Sequence, residues 1–151
     1  MRSPPAYRSQ VPAMILLVDD NRDGILARRS VLEELGYTVV GASSGSDALQ
    51  NFERHNFDLV ITDYKMSPMN GLELIRQLRE RKFTKPIILL TGFAESLGLR
   101  AENTGADVVI QKSANEVATL VRNAKRLLTP KKPPGSHKGS TLRARTSKRE
   151  S

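Results

Sequence analysis

Five residues of this sequence carry side chains suited to phosphoryl chemistry, and each stands at the end of a short apolar run. Asp19 and Asp20 are adjacent carboxylates after the first run, and Asp63 closes the third run. Thr91 and Lys112 close the next two runs and supply a hydroxyl and an ammonium group. A carboxylate nucleophile, a hydroxyl donor and a cation are the groups that phosphoryl transfer uses, provided that the fold places them together.

The three carboxylates also predict a metal ion. Asp19, Asp20 and Asp63 would repel one another at a shared site unless a cation joined them. The chain has no cysteine and two histidines, so the ligands are oxygen atoms and a hard cation is favoured, Mg²⁺ above all. Taken singly, each residue has a plainer role, since Asp20 or Asn21 could cap a helix and Lys112 could be a solvated charge.

The elements that must position these residues are five short apolar runs. β-branched residues are frequent in most of the runs, which is typical of strands. Runs this uniformly apolar favour strands that are buried on both faces, as in a parallel sheet. The predicted strands are Met14–Val18, Tyr37–Val40, Leu59–Thr62, Ile87–Leu90 and Val108–Ile110.

Apolar residues at helical spacing fill the intervals between the runs. Gly36 is a stop signal for the first helix, and the residues from Ser113 to Glu116 have the pattern of a capping box before the last helix. The segment 94–104 is the weakest predicted helix. The predicted buried residues are Ala27, Val31, Leu32 and Leu35, then Ala48, Leu49 and Phe52, then Leu72, Ile75 and Leu78, then Leu97, Leu99 and Ala101, and finally Val117, Leu120, Val121, Ala124 and Leu128.

Alternation of strands and helices predicts an α/β fold, namely a flavodoxin-like, doubly wound, five-stranded parallel sheet with strand order 2-1-3-4-5. In this class of fold, ligands bind at the carboxyl ends of the strands, where strands 1 and 3 are neighbours. Asp19, Asp20 and Asp63 fall at that point. Thr91 and Lys112 fall at the same edge, at the ends of strands 4 and 5.

The charge of the chain is concentrated at its ends. Residues 129–151 hold seven cations and one acid, which gives this segment a charge of +6 out of the total of +8. Residues 1–13 add +2, so residues 14–128 are neutral. Both ends contain prolines and lack an apolar pattern, so we predict a disordered N-terminal extension (1–13), a folded domain (14–128) and a disordered basic tail (129–151).

Several classes of protein do not fit the sequence. No apolar run approaches the roughly 18 residues of a membrane-spanning helix, and the N-terminus lacks the apolar core of a secretory signal, so a cytoplasmic protein is expected. The residues after Val18 lack the glycines of a dinucleotide site, and no P-loop occurs. A haloacid-dehalogenase-like phosphatase would carry an aspartate two residues after Asp63, where this chain has Lys65.

The five residues named at the outset stand at the ends of predicted strands 1, 3, 4 and 5, and this ordered set resembles the receiver domain of two-component response regulators, the CheY-like fold. The resemblance covers roughly residues 14–128, and the segment from Asp63 to Gly71 is similar to the one that follows the phosphoacceptor in that family. It implies that Asp63 accepts a phosphoryl group from a sensor histidine kinase or a phosphotransfer protein and also contacts Mg²⁺.

The resemblance implies a role for each of the other residues. Asp20 binds Mg²⁺ directly, Asp19 assists, and the backbone carbonyl of Lys65 is a further ligand. Thr91 hydrogen-bonds the phosphoryl group, and Lys112 pairs with it. The domain is then a signalling unit rather than an enzyme, although Mg²⁺-dependent self-phosphorylation and autodephosphorylation can accompany this role. Its output passes through contacts with an unknown downstream protein.

Four positions bear on how such a switch would work. Ser67 stands where the family usually has proline, and Ser113 stands where it commonly has another proline. Val109 occupies the position of the family's Tyr or Phe switch, so the aromatic readout is absent from the sequence. Phe93, two residues after the threonine, lies where the family tunes the lifetime of the phosphoryl group, and its bulk could shield that group from water.

Three functions are consistent with these patterns. The first is a phosphorylatable receiver, with no folded output domain expected after residue 128. The second is a degenerate receiver that acts as a phosphorylation-independent binding module, which Val109 and Ser67 leave open. The third is weak, nonspecific contact of the basic tail with nucleic acid; the tail has no aromatic residue for base stacking, and a solvated tail is the plainer interpretation.

Overall fold

Five parallel strands form the central sheet of the protein, whose computed structural model describes residues 12–92 and 98–130. The strand order is β2-β1-β3-β4-β5, so the predicted order is confirmed. The strands are β1 (Met14–Val18), β2 (Thr38–Ala42), β3 (Leu59–Asp63), β4 (Ile87–Thr91) and β5 (Val108–Gln111). The helices are α1 (Arg22–Glu34), α2 (Gly45–Arg54), α3 (Gly71–Glu80), α4 (Ala101–Thr104) and α5 (Glu116–Leu128).

Parts of several predictions lie outside the described residues. These parts are residues 1–11 of the predicted N-terminal extension, residues 131–151 of the predicted basic tail, and the segment 93–97, which contains Phe93 and Leu97. Within the ranges that are described, no helix is long and apolar enough to cross a membrane.

The side chains of each strand alternate between two apolar cores, one on each face of the sheet. On one face, Ile15 and Leu17 of β1 belong to the same buried cluster as Leu32 of α1 and side chains of α5. On the other face, Leu16 and Val18 share a cluster with side chains of α2 and α3. The sheet is therefore covered by helices on both sides, as its uniformly apolar strands predict. The buried helix residues of the second cluster are Ala48, Leu49, Leu74, Ile75 and Leu78.

The buried face of helix α1 matches the predicted one only in part. Ala27 and Leu35 are exposed, whereas Arg28 and Leu32 are buried and Ile25 packs against the core. The inward stripe thus runs through residues 25, 28 and 32, with a charged residue at its centre. The prediction is correct for Leu32 and in part for Val31, which is half-buried, and wrong for Ala27 and Leu35. Apolarity alone assigned the face and gave no weight to an arginine that finds ionic partners inside.

The predicted end of helix α1 is confirmed. Gly36 has φ of 98°, in the left-handed region that favours glycine. Its backbone N–H donates to the carbonyl of Glu33 at 3.0 Å, and the N–H of Tyr37 donates to the carbonyl of Leu32 at 3.4 Å. These bonds satisfy the last carbonyl groups of the helix, so the chain turns directly into strand β2.

The predicted capping box before α5 does not form. The helix begins at Glu116, and the Ser113 hydroxyl accepts a bond from Asn115 N at 3.3 Å instead of capping the first turn. The Glu116 carboxylate does not turn back to the chain but accepts a bond from Arg28 of α1 at 2.6 Å. Val117, predicted to be buried, is exposed. An ion pair between helices has replaced the local cap.

Gly71 allows helix α3 to start directly against the end of strand β3. Its N–H donates to the carbonyl of Tyr64 at 2.8 Å. A Cβ at this position would overlap the backbone oxygen of Asp63 and would lie 3.0 Å from Tyr64 Cα and from a methyl carbon of Leu89. Because two of these atoms belong to the backbone, they cannot move aside cheaply.

We expect Gly71→Ala to lower the free energy of unfolding by about 2 kcal/mol, since overpacking outweighs the gain in helix propensity. Gly45→Ala is the matched control, because Gly45 also begins a helix and its close neighbours are atoms of the flexible Met69 side chain. Urea denaturation followed by circular dichroism measures both variants. Equal stability of the two would contradict the prediction.

Candidate functional site

The carboxyl ends of four strands border a cleft of about 350 Å³. Asp63 and Thr91 are the last residues of β3 and β4, while Asp19 and Lys112 directly follow β1 and β5. The N–H of Lys112 donates to the carbonyl of Thr91 at 2.8 Å, which aligns these two ends. All six predicted site residues line the cleft, together with four others. The lining residues are Asp19, Asp20, Asn21, Gly24, Arg28, Asp63, Lys65, Thr91, Gly92 and Lys112.

Three carboxylates converge in this cleft. One oxygen from each of Asp19, Asp20 and Asp63 lies within 4.8 Å of the other two. Asp19 is 2% exposed and Asp63 is 4% exposed, whereas Asp20 faces solvent. Water can therefore screen one of the three charges well and the other two poorly, so the buried pair needs cations nearby.

Lys112 supplies a cation to Asp63. Its ammonium nitrogen lies 2.5 Å from Asp63 Oδ1 as an ion pair. Burial raises the pKa of Asp63, and the neighbouring Asp19 carboxylate raises it further, against the opposing effect of Lys112. The result is a poorly solvated carboxylate whose negative charge is paired with Lys112.

Asp19 is held from two sides. Its Oδ1 accepts from the N–H of Asn21 at 2.9 Å, and its Oδ2 accepts from Arg28 Nη1 at 2.7 Å. Arg28 is 8% exposed and also donates through Nε to Glu116 at 2.6 Å. Burial alone would lower the pKa of Arg28, but the bonds to Glu116 and Asp19 raise it overall, so the guanidinium stays charged.

Sequence reasoning missed Arg28 and Glu116. The available signal was an arginine at the centre of the Ile25–Leu32 apolar spacing of α1, where a solvated charge would not be expected. Its partner lies 88 positions away and could not be found from a local pattern.

Asn21, rather than Asp20, caps helix α1. The Asn21 side-chain oxygen accepts from the N–H groups of Asp23 at 2.9 Å and Gly24 at 3.2 Å. This settles the alternative left open by the sequence and leaves the Asp20 carboxylate on the border of the cleft.

The remaining predicted positions lie around the same cleft. Thr91 is buried at the end of β4, and Lys65 is exposed on the loop after β3. Val109 is partly buried and packs against the apolar core beside α2 and α3. Phe93 lies outside the described residues, so its predicted shielding role stays a prediction.

The residues of the cleft fit a hard divalent cation. Carboxylate oxygens of Asp19, Asp20 and Asp63 lie within 4.8 Å of one another and are available as ligands. Among the described residues that line the cleft, none is a cysteine or a histidine. An oxygen-only donor set of this kind suits Mg²⁺.

A larger cavity of about 650 Å³ lies at the opposite edge of the sheet but has a different character. Asp58 accepts a bond from Met14 N, and Asp107 accepts one from Ile87 N, each at 2.8 Å. Lys85 lies 3.8 Å from Asp58. These charges fix the starts of strands and do not converge on one point, so the cleft at the carboxyl ends is the candidate functional site.

We expect Asp63→Asn to raise the melting temperature of the metal-free protein at pH 7 by on the order of 4 °C, or about 1 kcal/mol. The reason is that folding raises the pKa of Asp63, chiefly by burial. Protonation of Asp63 stabilises the folded state. This contribution to the free energy of unfolding is complete below the ordinary pKa of 3.8 and is lost as the pH rises through the raised pKa.

The difference in melting temperature between Asp63→Asn and the wild type should therefore become smaller towards pH 4. Thermal melts in EDTA at both pH values measure it. Asp58→Asn is the control, since Asp58 accepts a backbone hydrogen bond and pairs with Lys85, and its loss should give no stabilisation. A lower melting temperature for Asp63→Asn at pH 7 would refute the expectation.

Comparison with known proteins identifies the family. The family model for the response regulator receiver domain matches residues 15–123. The chain is 36% identical over 114 residues to the alkaline phosphatase synthesis transcriptional regulatory protein PhoP of Bacillus subtilis, a match covering 72% of this chain and 46% of that protein. It is 35% identical over 106 residues to the aerobic respiration control sensor protein ArcB of Escherichia coli, covering 68% of this chain and 14% of that protein. The chain thus spans less than half the length of either relative.

Solved structures give the same result. The response regulator TrrA of Thermotoga maritima, in complex with Mg(2+)-BeF, is similar with a TM-score of 0.68 and 35% identity, covering 77% of this chain and 99% of that chain. The chemotaxis protein CheY4 of Vibrio cholerae has a TM-score of 0.68 and 30% identity, covering 78% of this chain and all of that chain, 100%. The resemblance to CheY-like receivers is confirmed, and the chain belongs to the response regulator receiver domain family.

Proposed function

We propose that this protein is a phosphorylatable receiver of a two-component phosphorelay. It accepts a phosphoryl group on Asp63 from a phosphohistidine of a sensor histidine kinase or phosphotransfer protein, and it signals through protein–protein contacts in the cytoplasm. The observation that carries the proposal is the buried Asp63 carboxylate, which pairs with Lys112 in the same cleft as Asp19 and Asp20. The family is one of signalling domains rather than conventional enzymes.

Asp63 is well suited to act as the nucleophile. In the transfer, a carboxylate oxygen forms a bond to phosphorus while the bond from phosphorus to the donor imidazole breaks, and the electron pair of that bond stays with the imidazole. Burial raises the pKa of Asp63, so its carboxylate is poorly solvated and more basic than a surface aspartate. Because the side chain is the last of a buried strand, its position is fixed before the donor arrives.

Lys112 and Thr91 are placed to stabilise the transferred group. The Lys112 ammonium already lies against Asp63, so it can follow the negative charge as that charge moves onto the phosphoryl oxygens. Thr91 ends the neighbouring strand on the border of the cleft, and we assign its hydroxyl as a donor to the same oxygens.

We assign Asp19, Asp20, Asp63 and the Lys65 carbonyl as the residues that would hold Mg²⁺. When bound, the ion supplies positive charge beside the phosphoryl oxygens and offsets their repulsion by the carboxylates. Arg28, the cation beside Asp19, is shared with Glu116, so the ion would also reduce the repulsion that the three carboxylates exert on an anionic donor. The Mg(2+)-BeF complex of TrrA supports this assignment.

The relatives support a kinase as the source of the phosphoryl group. ArcB is a sensor protein, and the match to this chain covers 14% of the length of ArcB. PhoP is a transcriptional regulatory protein. Val109 stands at the position of the family's aromatic switch and is partly buried, so we propose that the output does not use an aromatic side chain there.

Incubation with Mg²⁺ and acetyl phosphate should add one phosphoryl group to the protein, because the donor needs no specific docking surface. Intact-mass spectrometry measures the addition. The added mass should be absent from Asp63→Asn and from samples that contain EDTA. Asp58→Asn, which removes a carboxylate at the opposite edge of the sheet, should be modified like the wild type.

Addition to Asp63→Asn would refute Asp63 as the acceptor. If acetyl phosphate does not modify the wild-type protein either, phosphotransfer from a panel of histidine kinases is the next assay. Failure of transfer from every kinase would favour the alternative, a degenerate receiver that binds its partner without phosphorylation.

A further inference from the structure

The guanidinium of Arg28 is a fixed positive charge beside Asp19, one of the predicted metal ligands. Its Nη1 lies 2.7 Å from Asp19 Oδ2, and both groups are nearly inaccessible to water. Since Asn21 N bonds the other oxygen, both oxygens of Asp19 already have a donor in this structure. Any metal ion that approaches Asp19 must share it with a fixed positive charge.

The arginine is itself held by helix α5. Its Nε donates to Oε2 of Glu116, the first residue of that helix, at 2.6 Å. The three side chains Asp19, Arg28 and Glu116 therefore form one chain of charge-assisted hydrogen bonds from the end of β1 to the start of α5. Glu116 offsets part of the arginine charge and fixes its orientation.

The local backbone leaves room for this contact. Gly24 lies in the first turn of α1, where a Cβ would overlap Asp19 Oδ2 and would lie 3.1 Å from Arg28 Nη1. Glycine at this position thus lets the Asp19 carboxylate approach the backbone of the helix that carries Arg28.

We propose that Arg28 competes with the divalent cation for Asp19, and that Glu116 weakens this competition by holding the guanidinium, so that metal affinity is coupled to the first turn of helix α5. The inference rests on the proposed Mg²⁺ site. In the metal-free protein Arg28 relieves repulsion among the carboxylates. In the metal-bound protein its charge opposes a second cation a few ångströms away.

Two variants should shift Mg²⁺ affinity in opposite directions. Arg28→Met keeps an apolar stem of similar length and removes the charge, so we expect the dissociation constant to fall about fivefold or more. Glu116→Gln leaves the arginine charge less compensated, so the dissociation constant should rise by a similar factor. Arg28→Met should also lower the melting temperature in EDTA, because the carboxylates then lack a counter-charge.

The neighbouring ion pair provides matched controls. Arg29 and Glu33 lie on the same helix, 3.0 Å apart, but on its exposed side. Arg29→Met and Glu33→Gln make the same changes in net charge without touching Asp19. Their Mg²⁺ affinities should stay within about twofold of the wild type, since solvent and salt screen these charges.

The double variant Arg28→Met/Glu116→Gln tests whether Glu116 acts through Arg28. If it does, Glu116→Gln should have little further effect once the arginine is gone, and the two changes will not add. A purely structural role for the two residues would alter the melting temperature and leave the dissociation constants alone.

Calorimetric titration of each full-length variant with MgCl₂ measures the constants, beside thermal melts in EDTA. Should Arg28→Met fail to fold, Arg28→Gln keeps hydrogen-bond donors without the charge. Affinity equal to that of Arg29→Met, or weaker binding by Arg28→Met, would overturn the inference while leaving the proposed function intact. Absence of Mg²⁺ binding by the wild type would overturn both.

Discussion

Repulsion among three carboxylates is the constraint on which the rest of this structure depends. A parallel sheet brings the ends of β1 and β3 side by side, and the residues there are acidic, with oxygens within 4.8 Å of one another. Two of these carboxylates are almost wholly buried, so water screens them poorly. Lys112 and Arg28 reach these buried carboxylates from two other elements and place positive charge beside them.

The sheet and most of the site could be predicted because strand ends are a local property of the sequence. Four of the five predicted runs stop at a polar residue, and parallel connectivity places these stops at one edge. Asp63 and Thr91 are the last residues of their strands, so each of these strands ends one residue later than predicted. The order of elements, together with the identity of these end residues, was enough to predict the cleft.

The ion pair of Arg28 could not be predicted, because it joins residues 88 positions apart. Rules based on local sequence predicted other roles for both residues of this pair, Arg28 and Glu116. They assigned an apolar face to α1 that left the arginine outside, and they assigned Glu116 to a capping box. Charge-assisted hydrogen bonds are stronger than one cap hydrogen bond, and in the structure Arg28 and Glu116 make the former.

The two cations differ in a way that matters for signalling. The side chain of Lys112 is 34% exposed, so it can move with charge that is transferred to Asp63. The side chain of Arg28 is 9% exposed and is held by Asp19 and Glu116 together, so it cannot leave without breaking two short bonds. Under the proposed function, a phosphoryl group on Asp63 would therefore be sensed through Lys112 at the end of β5. A change at Asp19 would instead act on the start of α5, through Arg28 and Glu116. Phosphorylation of Asp63 and a change at Asp19 would therefore affect different elements of the fold.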